Sequence, residues 1–150
     1  MVAIANANLI SGVFETLYDL ITSQVSDPQI PARSKWWFST YPDNRLQTKA
    51  DFPIGIINPP NYSWQDFTIK RKWAIIDISI DIYSTSAREA DELVDSVLDA
   101  LETNRVIFGQ SGLIKYNVTG TNSSVFKNGE ITLHVRTASI SFMHVVQGSL

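Results

Sequence analysis

No cysteine occurs among the 150 residues. That single absence removes disulfide scaffolds, zinc–thiolate sites, iron–sulfur clusters and thiol nucleophiles together. Charge is scarce as well: Asp, Glu, Lys and Arg make up 18% of the chain, against a usual ~25%. The net charge of −3 and pI near 5.2 give no global field that would recruit nucleic acid or an acidic membrane, although local patches still can. No apolar run approaches the ~20 residues of a membrane span, so no membrane partner is expected. The first residues, Met1-Val-Ala-Ile-Ala-Asn-Ala-Asn8, lack the basic start and apolar run of a signal peptide. The glycosylation-like triplets at Asn61, Asn117 and Asn122 are then most simply chance. What remains is a chain 44% apolar and 11% aromatic, long enough to bury roughly 68–70% of its unfolded surface without staples.

Catalytic constellations are equally scarce. The two histidines, His134 and His144, are predicted on one strand, about 33 Å apart at 3.3 Å per residue. They share neither a metal nor a catalytic site, and each reads as a strand-surface histidine. No Gly-x-Ser-x-Gly motif or glycine-rich phosphate loop is present. Asp77 and Asp81 share a strand face, but four positions separate them by roughly 13 Å, wider than the 5–9.5 Å of a glycosidase pair. Gly109-Gln-Ser-Gly112 contains no basic residue and reads as a helix-to-strand turn. The expectation is no enzyme, no cofactor and no metal.

The periodicities are clear. Leu9, Ile10, Val13, Phe14, Leu17, Leu20 and Ile21 fall at helical spacing and predict a first helix over 9–25. Asn8 is its candidate N-cap, and Asp27-Pro28 is its stop. From Ser26 to Asp51 no period holds; Pro28, Pro31 and Pro42 punctuate an arm carrying Trp36-Trp37-Phe38. A connection this long in a small domain tends to be functional or disordered. Its aromatics predict an ordered or partner-ordered segment with a short strand near Trp36–Thr40. Phe52–Ile57 reads as a strand closed by Asn58-Pro59-Pro60, and Phe67–Tyr83 as a longer one. In the latter Ile76, Ile78, Ile80 and Ile82 alternate with Asp77, Ser79 and Asp81, as in an antiparallel sheet with one wet face.

Ser86-Ala-Arg-Glu89 is a capping box opening a second amphipathic helix. Ala90, Leu93, Val94, Val97, Leu98 and Leu101 face inward, Asp91, Glu92, Asp95, Asp99 and Glu102 cover the outside, and Asn104 ends it. Leu113–Thr119 and Ser123–Lys127 are predicted strands, and Asn128-Gly129 is a hairpin dipeptide leading to a strand over 130–146. In that last strand Ile131, Leu133 and Val135 have one parity, and Ala138, Ile140 and Phe142 the other. The switch implies a bulge near Arg136-Thr137, or a strand covered on opposite faces in its two halves. The fold predicted is α+β: a mainly antiparallel sheet of four to five strands, two helices on one face, and a long arm. The second sheet face is left to water or to a neighbour.

Basic residues gather along the arm and the following strand entry: Arg33, Lys35, Arg45, Lys49, Lys70, Arg71 and Lys72, opposed only by Asp43, Asp51 and Asp66. They interleave with Trp36, Trp37, Trp64 and Trp73. Cationic and aromatic side chains together suit a protein interface or stacking and phosphate contacts with nucleic acid. They also suit ordinary core and surface duty.

The order of amphipathic helix, arm, Phe52-Pro-Ile-Gly-Ile56, then Trp73–Tyr83 running into Ser86–Leu101, and a terminal antiparallel hairpin resembles the tail terminator (tail-completion) proteins of long-tailed phages and related head–tail joining proteins. The resemblance covers most of the chain and rests on element order and texture. It implies a non-enzymatic virion protein of one domain over 1–150 with its arm at about 26–51. Copies would form a ring, usually hexameric, that caps the tail tube and stops its polymerisation. The partners implied are further copies of the chain, the tail tube protein and a neck or connector protein, with DNA passing the channel without specific binding. The location implied is the virion tail or neck, assembled in the host cytoplasm. The arm is larger and more aromatic than in the compact members, which leaves tail terminator, neck ring and adjoining adaptor all open.

A closed ring needs two different complementary patches per subunit. The candidates are the basic aromatic arm (Arg33, Lys35, Trp36, Trp37, Arg45, Lys49, Lys70, Arg71, Lys72) and acidic positions on the second helix and the wet strand face (Asp91, Asp95, Asp99, Asp77, Asp81). Trp36, Trp37 and Arg33 or Lys35 are expected to reach a neighbouring subunit. The competing reading is a nucleic-acid-binding module that uses the same arm.

Overall fold

The computed structural model describes residues 9–42, 48–66 and 71–147. In chain order the elements are α1 (Leu9–Gln24), β1 (Trp37–Phe38), a 3-10 turn (Lys49–Asp51), β2 (Ile54–Ile57), β3 (Asn61–Asp66), β4 (Arg71–Ser84), α2 (Ala87–Thr103), α3 (Arg105–Gln110), β5 (Ile114–Asn128) and β6 (Ile131–Gln147). The six strands form one sheet in the order β1-β2-β4-β6-β5, with β3 also on β4. The fold is α+β and every pairing is antiparallel except β1 with β2. Two strands and a helix exceed or refine the sequence expectation. Asn61–Asp66 is a strand of its own, the segments 113–119 and 123–127 are one continuous strand, and α3 is a third, short helix after Asn104. The candidate N-cap Asn8 and the first residues of the strand expected over 67–83 lie outside the described residues.

The isoleucine alternation of β4 sets the layout. Ile76, Ile78, Ile80 and Ile82 lie beneath the helices, where Val13, Leu17, Ile21, Val97, Leu101 and Phe108 pack on them together with Ala138, Ile140 and Phe142 of β6. Full burial of each such side chain contributes about 1.5–3 kcal/mol. Ser86 caps α2 by accepting from the Glu89 backbone N–H. The Glu89 carboxylate accepts from the Ser84 hydroxyl at 2.6 Å, which itself accepts from the Ser86 N–H, so the expected box closes through one extra residue. Asn104 ends α2 with its side-chain amide on the Ala100 carbonyl at 2.7 Å.

The parity switch of β6 resolves without a bulge opposite β4, since the two strands keep one register from Arg71↔Gln147 to Ser84↔His134. The second sheet face is instead covered over one half. There Phe52, Ile54, Ile56 and Leu133 form a separate small core with Phe38, Tyr41, Tyr83 and Ile131. Hence Leu133 and Val135 are buried on that side while Ala138, Ile140 and Phe142 are buried on the other. The arm wraps the sheet edge to build this second layer. Among the described residues no layer covers the other half of the face, around Asp77, Ser79, Ser139 and Ser141.

β2 and β3 lie end to end on the same edge of β4, and between them Asn58-Pro59-Pro60 oppose only Ile78 and Ser79. Two prolines without N–H groups suit such a break. Asn58 anchors it by donating to Ser79 and to Asp81 Oδ2. On β3 the Tyr62 hydroxyl donates to the Ile10 carbonyl at 2.9 Å, and desolvation pushes its pKa up to about 12. A raised folded pKa keeps this contribution complete below about pH 10 and loses it as pH rises through the folded value. An ultraviolet titration of wild type against Tyr62→Phe should therefore show one phenol ionising near pH 12 and absent from the variant.

Candidate interaction surfaces

The arm starts from a buried ion pair. Asp27 follows α1, and its side chain is 2% exposed. Both of its oxygens accept from the Arg33 guanidinium at 2.9 Å, and they also accept the backbone N–H groups of Gln29 and Arg33. Burial alone would raise the Asp27 pKa, but the Arg33 side chain, those two N–H groups and the guanidinium charge hold it below the usual value. Arg33 also donates to the carbonyls of Asp51 (2.7 Å) and Pro53 (2.6 Å), and Gln29 donates to those of Ala50 and Phe52. The start of the arm is thus tied to its end, immediately before β2.

Trp36 and Trp37 lie within the chain's own core, 6% and 3% exposed. Trp37 pairs with Gly55 of β2, and its carbonyl accepts from the Tyr18 hydroxyl of α1 at 3.1 Å. The expectation that this pair and Arg33 reach outward meets a physical obstacle: the tryptophans are committed to packing, and the Arg33 guanidinium makes four hydrogen bonds inside the subunit. Lys35 stays exposed over the Phe38 ring, with Nζ 5.1 Å from its centroid. Beside it runs a shallow cleft of about 370 Å³ bounded by Tyr18, Thr22, Lys35 and Trp36.

The basic residues that lie among the described ones do not assemble into one patch. Lys49 is exposed in the 3-10 turn near β2, whereas Lys72 sits at the opposite end of β4, 3.8 Å from Asp66. Nine strand positions part Lys72 from Asp81, where β2 pairs, which is roughly 30 Å. Arg45 and Lys70 lie outside the described residues, as does the side chain of Arg71.

The acidic positions also separate. Asp91 pairs with Arg136 of β6 at 2.8 Å, while Asp95 and Asp99 stand exposed on α2. Asp81 accepts from Asn58 and Thr137 and is held in the sheet; Asp77 is exposed on the bare half-face with Ser79 and Ser139. Among the described residues no group of three or more His, Cys, Asp and Glu side chains could hold a metal, and no helix is long and apolar enough to cross a membrane.

His144 departs from the surface reading. It is 6% exposed, its Nδ1 lies 3.0 Å from the Gly112 carbonyl, and its Nε2 is buried without a partner among the described residues. Gly112 has φ +94°, a conformation that L side chains rarely adopt, and a Cβ there would press on the imidazole at 3.0 Å. Position on the helix side of β6 was the available signal, since His144 follows Ala138, Ile140 and Phe142 in the same parity.

The most exposed strand has no distinguishing signal in the sequence. Every residue from Asn117 to Lys127 of β5 is exposed, Val125 at 61% and Phe126 at 39%. Bulges between Ile114 and Gly120 interrupt its first part, and the Gly, Thr, Asn and Ser that follow carry no period, so one continuous strand reads as two.

No protein-family profile matches the sequence, and no curated protein matches it. Among solved structures, the chain is similar in fold to a chain of a structure described as the virion of a native gene transfer agent particle. The similarity has a TM-score of 0.58 at 11% identity, over 90% of this chain and 97% of that one.

Proposed function

We propose that this chain is a structural subunit of a phage-like virion. Its copies close a ring, hexameric as in the tail terminators it resembles, that caps the tail tube and joins tail to head or neck. The observation that carries the virion role is the near-complete, two-way overlap with a chain of a virion particle; the ring rests on the resemblance in element order. The exposed surface is consistent with it. The arm, the one segment with the composition of a nucleic-acid clamp, is folded onto its own sheet with its tryptophans buried. On the half-face Asp77, Ser79, Ser139 and Ser141 carry no positive charge to hold a polyanion, and the nearby Lys115 lies over the Trp73 ring.

Negative-stain imaging and light scattering of the purified protein, alone and with assembled tail tubes, test this. Rings with a central hole, or tube ends capped and no longer growing, are expected. Tubes that elongate unchanged in excess protein overturn it, and salt-dependent retention of DNA at physiological ionic strength favours a nucleic-acid-binding module instead.

A further inference from the structure

The sheet has unequal protection at its edges. Native proteins shield an edge strand with charge, proline, bulges or a covering element, because its free N–H and C=O groups template pairing with another chain. β4 and β6 are interior, but β5 pairs only with β6 among the described residues. Its first part is bulged, between Ile114 and Asn117 and again between Val118 and Gly120. From Gly120 to Asn128 the register against β6 is unbroken. Over Gly120-Thr-Asn-Ser-Ser-Val-Phe126 there is neither a charge nor a proline, and every residue is exposed. Small polar side chains leave this backbone unobstructed, and Val125 offers an apolar contact beside it.

A second open edge lies on the far side of β4. β3 is a six-residue strand, Asn61–Asp66, bonded on one side only among the described residues. It is uncharged until its last residue, and Trp64 is 53% exposed on it. The two free edges match in length and polarity and lie on opposite sides of the sheet. A contact between unlike edges is head-to-tail, and such contacts propagate until a ring closes.

We propose that the Gly120–Phe126 edge of β5 pairs with β3 of a second copy of this chain, so that the sheets of successive subunits run on into one another. Main-chain hydrogen bonds supply the affinity, as in other strand additions, and Trp64 and Val125 supply apolar anchors. This deepens the ring reading and rests on it only for the identity of the partner.

The test uses the full chain. In one variant Thr121, Ser123 and Val125, which share a side of β5 and are exposed, become lysine; in a second, Ser63 and Gln65 of β3 do. A third, Thr121→Ser with Ser123→Thr and Val125→Thr, keeps the edge neutral. Circular dichroism checks the fold, and light scattering reads the mass. The wild type and the neutral variant are expected to assemble, and both lysine variants to fall to the 16.8 kDa chain with unchanged spectra. Alternate β5 amides in the wild-type assembly are expected to exchange about tenfold or more slowly than in the lysine variants. An assembly that survives the β5 lysines, or whose β5 amides exchange freely, overturns the pairing and leaves the ring standing. Disruption by the β5 lysines alone, or an assembly that stops at two copies, overturns the head-to-tail pairing. A wild type that stays monomeric at its highest soluble concentration overturns the pairing, and only one that also leaves tube growth unchanged overturns the ring.

Discussion

Arg33→Ala is expected to be among the most damaging single changes in this protein, with a loss of about 3–5 kcal/mol, the range for truncating one partner of a buried ion pair. The reason lies less in the pair's own strength than in what truncation leaves behind. Asp27, with its side chain 2% exposed, would retain a charge without its counterion, and the carbonyls of Asp51 and Pro53 would lose their donors. For a domain of this size each kcal/mol moves the thermal midpoint by about 2–4 °C, so calorimetry should show a fall of roughly 6–20 °C. Arg33→Lys keeps the charge but not the two-pronged geometry that serves a carboxylate and two carbonyls together, and is expected to fall between. A midpoint within a degree of wild type for Arg33→Ala would mean that the arm is not held this way.

The same pair sets an acid limit. Asp27 has a folded pKa below its ordinary value, so its stabilisation is complete above the unfolded value near 4 and is lost as pH falls through the folded one. Tryptophan fluorescence should report the loss, because Trp36 and Trp37 follow the ion pair in the arm. Asp27→Asn should be less stable at neutral pH and should lose less further stability as pH falls below about 4.

Much of this architecture is legible in the sequence where one residue type repeats at one period. The isoleucines of β4 and the stripe of α2 each report a single buried face, and the structure places both as expected. Legibility fails where a segment serves two environments. β6 carries Leu133 to one core and Phe142 to the other, so its parity switch announced a change of partner that only the arm's path explains. The arm itself has no period, because its order comes from a few discrete ties: Asp27 to Arg33, Gln29 to Ala50 and Phe52, Trp37 to Gly55. Composition there reports cations and aromatics, but not that Arg33 is paired within the subunit, that Lys35 and Lys49 stand apart, or that the tryptophans are internal. The open β5 edge was hidden for the opposite reason, since Thr, Asn, Ser and Gly carry no pattern at all.

The contact between Gly55 and Trp37 gives the sharpest separation between a core and an interface role for the arm's aromatics. A Cβ at position 55 would fall within 3.0 Å of three indole carbons, Cζ3, Cε3 and Cη2, all in the six-membered ring of a side chain only 3% exposed. Gly55→Ala should therefore cost about 1–3 kcal/mol by overpacking, although the same change in an uncrowded strand is favourable. Trp37→Phe removes that ring and the buried Nε1–H, which has no partner among the described residues. It leaves a gap instead, with a loss of about 1–3 kcal/mol. The two changes together should cost less than their sum, because the new methyl enters the space the indole vacates; the coupling expected is about 1–3 kcal/mol. Urea midpoints of the four proteins measure it, and strict additivity would mean that Trp37 does not lie on Gly55. Light scattering on the same four proteins asks the second question. If Trp37 acts only within its own subunit, Trp37→Phe lowers the midpoint and leaves the assembled mass unchanged. If the mass falls while the spectrum of the folded chain is retained, the indole contributes to the contact between copies as well.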